Sequence, residues 1–214
     1  MGLFLSWLVF AGVQLAASMS PGPAFAMALR NALRYGRRAG IFMAFGLGVG
    51  VGFHVVLVLC GLAYLISKSV FVFSLIKYAG AAYLFYIGIK ALKTKKHSGG
   101  GLEDAASDEA HIVREGISDW KAFTCGVLTN ALNPKAVVFF TAVFTQFIGV
   151  GTPVFVHVLY GVTSVSIEVL WFSGVAIVLG DARVKSRFMA VVHWIERSCG
   201  GLMIALGIKL ALSK

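Results

Sequence analysis

Two proline-centred breaks interrupt hydrophobic segments of this chain where a membrane-spanning helix would otherwise continue. The first break is Ser20-Pro21-Gly22-Pro23, and the second is Asn133-Pro134-Lys135. In the hydrocarbon core of a bilayer every backbone N–H and C=O group needs a partner, so a broken helix survives only beside other protein or a watery cavity. Two such breaks, one in each half of the chain, indicate a binding site.

The composition places the chain among polytopic membrane proteins. Of its 214 residues 58% are hydrophobic and only 13% are charged, and the mean hydropathy is +0.86. Soluble domains are less apolar than this. The formal net charge of +10 is also typical of nucleic-acid binding, but the Lys and Arg residues lie between apolar segments and no polar domain is present to hold bases. We therefore expect a lipid bilayer, and no nucleic acid, as the partner.

Six hydrophobic runs are long enough to cross a bilayer, which takes about 20 residues. They cover residues 3–29, 40–66, 70–92, 121–149, 153–180 and 189–212. The sixth is the weakest, because its apolar part begins only after Glu196 and Arg197. The expected fold is an all-α polytopic membrane protein with six transmembrane helices, of which the first and fourth are broken at the proline motifs.

Basic residues in the short loops predict the orientation in the membrane. They follow the first run, occupy the long loop and precede the sixth run: Arg30, Arg34, Arg37, Arg38, Lys93, Lys95, Lys96, Arg183, Lys185 and Arg187. With six spans these loops share one side, which the positive-inside rule makes cytoplasmic. Both termini then face outward, and the loop from 93 to 120 is cytoplasmic. A cleavable signal peptide is the alternative for the first run, but no basic segment precedes it.

A polar, Gly-rich stretch divides this single membrane domain into two halves. Residues 97–119 predict a solvated cytoplasmic linker between repeat one, at 1–96, and repeat two, at 120–214. Three spans in each half force the halves into opposite orientations. Gly88-Ile89-Lys90 closes the third span, and Gly207-Ile208-Lys209 closes the sixth. Inverted repeats with broken helices are typical of secondary transporters.

The residues at the breaks are suited to hold a carboxylate. Proline is favoured at the first position of a helix, and Ser or Asn is a good N-cap, so Ser20-Pro21 and Asn133-Pro134 each predict the start of a half-helix. The free N–H groups at such a start bind anions. Gly22 lets a ligand approach the backbone closely. A plain proline kink is the alternative at either break.

Span five contains a polar stripe that should face the protein interior. The stripe consists of His157, Tyr160, Ser164, Glu168 and Trp171, at steps of three or four residues. Glu168 lies near the middle of the span, where an unpaired charge is costly. It is the leading candidate for carrying a proton or binding a substrate amine. A structural ion pair with Lys135 is the alternative.

Span two contains a histidine at a matching depth. Gly46, Gly50 and His54 recur at steps of four, and small residues at that spacing let helices approach closely. Because histidine gains and loses a proton near physiological pH, a role for His54 in proton coupling is predicted, with a hydrogen-bonded packing role as the alternative. The substrate-binding candidates are Gln14, Ser20, Pro21, Gly22, Pro23, Asn130, Asn133, Pro134, Lys135, Tyr160 and Ser164.

Several motifs together span nearly the whole chain. They are Ser-Pro-Gly-Pro at 20–23, Arg34-Tyr35-Gly36-Arg37-Arg38-Ala39-Gly40, the Gly-rich second span with His54, and Asn133-Pro134-Lys135. This combination resembles the LysE/RhtB family of bacterial amino-acid exporters. The resemblance implies a six-helix carrier of the inner membrane that exports amino acids or their derivatives, driven by the proton gradient. We expect alternating access around a midplane site.

Three other classes of membrane protein remain as alternatives. Thiol-disulfide carriers of the same wider superfamily place one Cys in the first span and one in the fourth, whereas here span four has Cys125 and span one has none. A membrane-embedded enzyme is not expected, since no metal cluster, nucleophile motif or phosphate loop is found, and no cofactor is predicted. A channel would differ in its non-saturating flux. Gly200-Gly201 and Gly207 are compatible with a close contact in a homo-oligomer.

Overall fold

The computed structural model describes the chain as a bundle of α-helices. The described residues are 2–20, 22–68, 70–93, 116–149, 151–179, 194, 197–198, 200–201, 203–205 and 207–208. Within these ranges no residue forms a β-strand. Seven helices are defined: α1 (Leu3–Met19), α2 (Pro23–Tyr35), α3 (Arg37–Lys68), α4 (Val70–Leu92), α5 (Asp119–Ala131), α6 (Pro134–Phe147) and α7 (Val154–Leu179).

Two of these helices are long and apolar enough to cross a membrane unaided. They are the stretches Arg37–Gly61 of α3 and Val154–Val178 of α7. The pairs α1–α2 and α5–α6 also qualify as single spans, bent by 61° and 60° at their breaks. The described residues therefore contain two to four candidate spans. Of the six predicted runs, the first five coincide with α1 to α7. Most of the sixth run, and residues 97–115 of the predicted linker at 97–119, lie outside the described residues.

The first break has a different local structure from the predicted one. Ser20 is the C-cap of α1, and α2 begins at Pro23 after an N-cap at Gly22. The prediction that Ser20 caps the second half-helix was therefore wrong. The residue before a proline is forced into extended backbone, and Ser20 and Gly22 each precede one. The second helix therefore begins at Pro23, two residues later than predicted.

The second break matches its prediction. Asn133 is the N-cap of α6, its side-chain oxygen accepts a hydrogen bond from the Lys135 N–H at 3.0 Å, and Pro134 occupies the first turn. Here only one proline is present, so the residue that it forces into extended backbone is also the residue that caps the helix.

Glycines bring α3 into backbone contact with α5. A Cβ atom at Gly46 would overlap the carbonyl oxygen of Phe123, and one at Gly126 would overlap the carbonyl oxygen of Met43. On another face of α3, a Cβ at Gly48 would overlap a methyl group of Val169 on α7. The helix α3 therefore packs between α5 and α7, as the spacing of its small residues predicts.

This contact gives a prediction with a matched control. We expect Gly46→Ala to destabilise the protein by about 2 kcal/mol or more, because the added methyl meets rigid backbone. Gly52→Ala makes the same chemical change where the nearest atom is Val165 Cγ2 at 3.7 Å, so it should be neutral or stabilising by up to about 1 kcal/mol. Thermal unfolding of both variants in detergent measures the difference, and equal midpoints would contradict the close packing of α3 on α5.

Two apolar clusters enclose the polar residues at the level of the breaks. The first includes Phe10, Val51, Phe144 and Tyr160, and the second includes Phe25, Leu29, Met43, Leu47 and Phe172. Both α3 and α7 contribute to each cluster. The N-terminal part of α3 packs with the C-terminal part of α7 in the second cluster, and the opposite ends of the two helices pack in the first. The region between the clusters is where His54, Asn130 and Glu168 lie buried.

Candidate functional site

A cavity lies where the two breaks meet α7. Its volume is about 50 Å³, which is room for a few water-sized groups. Its polar lining residues are Gln14, Ser18, Ser20, Asn130, Asn133, Lys135 and Glu168. Its apolar lining residues are Ala17, Gly22, Ala24, Phe25, Val51, Ala136, Phe139, Phe140 and Phe172. Seven of the predicted binding and coupling residues are thus brought together: Gln14, Ser20, Gly22, Asn130, Asn133, Lys135 and Glu168.

The carboxyl group of Glu168 is held by the ends of both broken helices. The Ser18 hydroxyl, near the end of α1, donates to Oε2 at 2.6 Å, and the Asn130 amide, near the end of α5, donates to Oε1 at 3.1 Å. The Glu168 residue is only 6% exposed. Such hydrogen bonds offset part of the cost of removing a carboxylate from water. The charge is therefore positioned where α1, α5 and α7 converge.

The side-chain NH2 group of Asn130 has two hydrogen-bond partners. Its Nδ2 group donates both to Glu168 and to the carbonyl oxygen of Leu47, the latter at 2.9 Å. The backbone carbonyl of Asn130 lies 2.8 Å from Nε2 of His54. Asn130 thus joins α5 to α3 and α7, and His54 lies behind it rather than in the cavity lining.

Lys135 joins the two breaks across the cavity. Its Nζ donates to the Ser20 hydroxyl at 3.1 Å and to the Ser20 carbonyl at 3.4 Å. A Cβ at Gly22 would lie 3.5 Å from this Nζ, in ordinary van der Waals contact, so the glycine keeps the space beside the ammonium open. The positive charge of Lys135 also acts on the Glu168 carboxyl electrostatically. The cavity therefore offers one acidic and one basic group.

Gln14 lines the cavity and has a buried amide oxygen without a partner among the described residues. Its Nε2 donates to the Ser18 hydroxyl at 3.4 Å, whereas its Oε1 is buried without a partner in the described part of the chain. A buried acceptor left unsatisfied costs about 1–3 kcal/mol. A ligand N–H that enters the cavity would remove this cost.

Phenylalanines form the apolar side of the cavity. The rings of Phe25 and Phe172 are 6.3 Å apart, and those of Phe139 and Phe140 are 5.3 Å apart. The four phenylalanines were not predicted, because nothing in the sequence distinguishes them from packing residues, and Ser18 was not predicted either. For Ser18 a signal was present, since it lies one helical turn after Gln14 and on the same face of α1.

The other predicted residues that the structure describes lie outside the cavity lining. The Tyr160 ring stacks on Phe10 with centroids 4.4 Å apart, and the Ser164 hydroxyl donates to the Tyr160 carbonyl at 2.9 Å. Pro23 and Pro134 begin their half-helices. Pro21 lies outside the described residues.

The cysteines that the structure describes are not part of this site. Cys60 and Cys125 are free thiols, and neither lines the cavity. In the described ranges no group of three or more His, Cys, Asp or Glu side chains could hold a metal ion. The polar side chains that line the cavity can form ionic contacts and hydrogen bonds.

Comparison with known proteins finds relatives that match nearly the whole chain. A Bacillus subtilis (strain 168) protein named uncharacterized membrane protein YrhP is 32% identical over 198 residues, which cover 90% of this chain and 92% of the relative. The threonine efflux protein of Escherichia coli (strain K12) is 30% identical over 216 residues, which cover 99% of this chain and 100% of the relative. The homoserine/homoserine lactone efflux protein of Salmonella typhimurium is 27% identical over 209 residues, which cover 97% of each chain.

No solved structure matches the chain. The sequence profile of LysE type translocators, in contrast, matches residues 15–214, which include both breaks, α7 and every residue that lines the cavity except Gln14. The long apolar helices and the membrane-protein relatives together make this a multi-pass membrane protein. The chain belongs to the LysE type translocator family.

Proposed function

We propose that the protein exports amino acids or their derivatives from the cytoplasm as a secondary active transporter rather than an enzyme. The efflux activities named for the threonine and homoserine relatives support this class of substrate. The observation that carries the proposal is the juxtaposition of Glu168 and Lys135 on one cavity at the two helix breaks. A free amino acid is a zwitterion, and one buried acid opposite one base is the matching arrangement of charges.

In this proposal the substrate carboxylate binds on the Lys135 side. The N-terminus of α6 at Asn133 and the N-terminus of α2 at Gly22 both border the cavity, and helix N-termini attract anions. The substrate ammonium binds on the opposite side, to the Glu168 carboxylate and the unused Oε1 of Gln14. The side chain of the substrate then lies against the phenylalanines.

We further propose that Glu168 exchanges the proton that drives export. As a carboxylate it accepts hydrogen bonds from Ser18 and Asn130. Once protonated, one of its oxygens becomes a donor, so these two contacts cannot both persist unchanged. Since Ser18 lies near the end of α1 and Asn130 near the end of α5, protonation would reverse or break one of the hydrogen bonds by which Glu168 holds the two broken helices. Proton binding is thereby coupled to the alternating access of the cavity.

The proposed arrangement in the membrane is six spans in two inverted repeats of three. The support is the distribution of positive charge, which favours a cytoplasmic position for the loop at 93–120 and an outward position for both termini. The pairing of α1–α2 with α5–α6 as the broken spans supports the repeat. The bacterial inner membrane is the proposed location, and self-association at the glycines near the C-terminus remains part of the proposal.

Feeding bacteria a panel of dipeptides tests the proposed function and the substrate class together. Cells that express the protein should release one or a few amino acids several-fold faster than cells with an empty vector, because hydrolysis of the dipeptide raises the internal concentration that drives efflux. The rate should saturate with internal concentration, as expected of a carrier and not of a channel. Unchanged release for every amino acid in the panel would contradict the proposal.

A further inference from the structure

The backbone carbonyl of Asn130 lacks the donor that an unbroken helix would provide. In an α-helix this oxygen accepts a hydrogen bond from the N–H four residues later, and that residue is Pro134, which has no N–H. The Asn133 N–H donates to it at 2.9 Å, which tightens the last turn, and Nε2 of His54 approaches the same oxygen to 2.8 Å. The imidazole is thus a second partner of this carbonyl, beside the Asn133 N–H.

The identity of the acceptor fixes where the histidine hydrogen lies. A carbonyl oxygen can only accept, so Nε2 of His54 must be protonated to make this contact. The ring is 2% exposed and lies nearly parallel to the Phe140 ring, with centroids 6.0 Å apart. A Cβ at Gly50, one turn earlier on α3, would come within 2.7 Å of the Asn130 Cβ. The close approach of α3 to α5 therefore brings the imidazole within reach of the break.

We propose that His54 is a positioning residue for the site and not its proton carrier. By holding the Asn130 carbonyl, its Nε2–H fixes the end of α5 and thereby keeps the Asn130 amide directed at the Glu168 carboxyl. The inference rests on the proposed function in one respect, that Glu168 and Asn130 serve transport. It departs from the sequence-based prediction, which assigned His54 to proton coupling.

The arrangement has a counterpart on the other side of the cavity. Glu168, from the middle of α7, contacts Ser18 near the end of α1, and His54, from the middle of α3, contacts Asn130 near the end of α5. Each central helix thus holds the broken helix from the other half of the chain. Only the Glu168 contact faces the cavity, which is why exchange of a proton is assigned there and positioning is assigned to His54.

Two substitutions of His54 separate positioning from proton transfer. Gln retains an N–H donor at a similar distance along the side chain, so His54→Gln should keep most of the transport rate. Leu fills the same space without a donor, so His54→Leu should lower the initial rate by about five- to tenfold, as the loss of one hydrogen bond predicts. Both variants should be assayed in proteoliposomes, for efflux driven by a proton gradient and for exchange of substrate across the membrane.

The pH dependence of His54→Gln decides between the two roles. If His54 only positions Asn130, transport by this variant should follow the wild-type profile between about pH 6 and 8, where a histidine would titrate. Loss of gradient-driven efflux with retained exchange would instead make His54 the proton carrier and overturn the inference. Wild-type rates for His54→Leu would overturn it as well.

Nitrogen NMR of the wild-type protein tests the same inference without a transport assay. With ¹⁵N-labelled histidine, the His54 signal, assigned by its absence in His54→Gln, should show a protonated Nε2 throughout the range from about pH 6 to 8. A deprotonated Nε2 at any pH in that range would overturn the inference, even if His54→Leu fails to fold. If the wild-type protein moves no amino acid, the proposed function fails while this measurement still reports on His54.

Discussion

Glu168→Gln is expected to abolish proton-driven efflux while leaving the protein folded. Gln has the shape of Glu and can still accept from Asn130, and its amide can donate to Ser18, whose hydroxyl rotates to accept. The hydrogen-bond network therefore survives, but the negative charge that would bind a substrate ammonium and the exchangeable proton are lost. Removing one charge from a buried ionic contact weakens binding by enough free energy to reduce the transport rate by about a hundredfold or more.

The measurement is substrate efflux from preloaded proteoliposomes with and without a proton gradient. Asp119→Asn is a matched control, since it makes the same change from carboxylate to amide. Asp119 binds Arg38 at the exposed ends of α5 and α3, at 2.6 Å, and exposed ion pairs contribute little to stability. We expect this control to transport at nearly the wild-type rate. Efflux at the wild-type rate in Glu168→Gln would disprove the role assigned to the carboxyl group.

Lys135→Met should raise the substrate concentration needed for half-maximal transport by at least about tenfold, because the ammonium that would face the substrate carboxylate is removed. Lys135→Arg, which keeps the positive charge, should restore part of the affinity. Lys121→Met is a suitable control, since Lys121 is exposed on the first turn of α5, away from the cavity. An unchanged half-saturating concentration in Lys135→Met would show that the carboxylate binds elsewhere.

Local rules explain the parts of the structure that the sequence predicted well. The N-cap at Asn133 and the burial of Tyr160, Ser164 and Glu168 along one face of α7 follow from residue spacing alone. The glycine spacing of span two likewise predicted a close helix contact. At the first break two prolines, Pro21 and Pro23, each restrict the residue before them, Ser20 and Gly22. The local rule therefore gave the wrong capping residue there.

The partners of the site could not be predicted from spacing. Glu168 and Ser18 are 150 residues apart, and His54 and Asn130 are 76 residues apart. No periodicity relates residues on different helices, so the sequence suggested Lys135 as the partner of Glu168 and did not identify Ser18. The phenylalanines of the cavity were missed for the same reason, since an apolar residue in a membrane helix gives no sign of whether it faces lipid, core or ligand.

The packing of α3 has a consequence for how the protein moves. Among the described helices, α3 contacts mainly α5 and α7, and α4 contacts mainly α6. Helices of the first half therefore pack between helices of the second half, and the two halves do not meet at a flat interface. The backbones of α3 and α5 are in contact at Gly46 and Gly126. If one half rocked as a rigid body against the other, these backbones would separate, and glycine has no side chain that could fill the space between them. For the alternating access proposed above, the pivot therefore belongs inside each half, at Ser20 and Gly22 in the first and at Asn133 in the second, which have extended backbone.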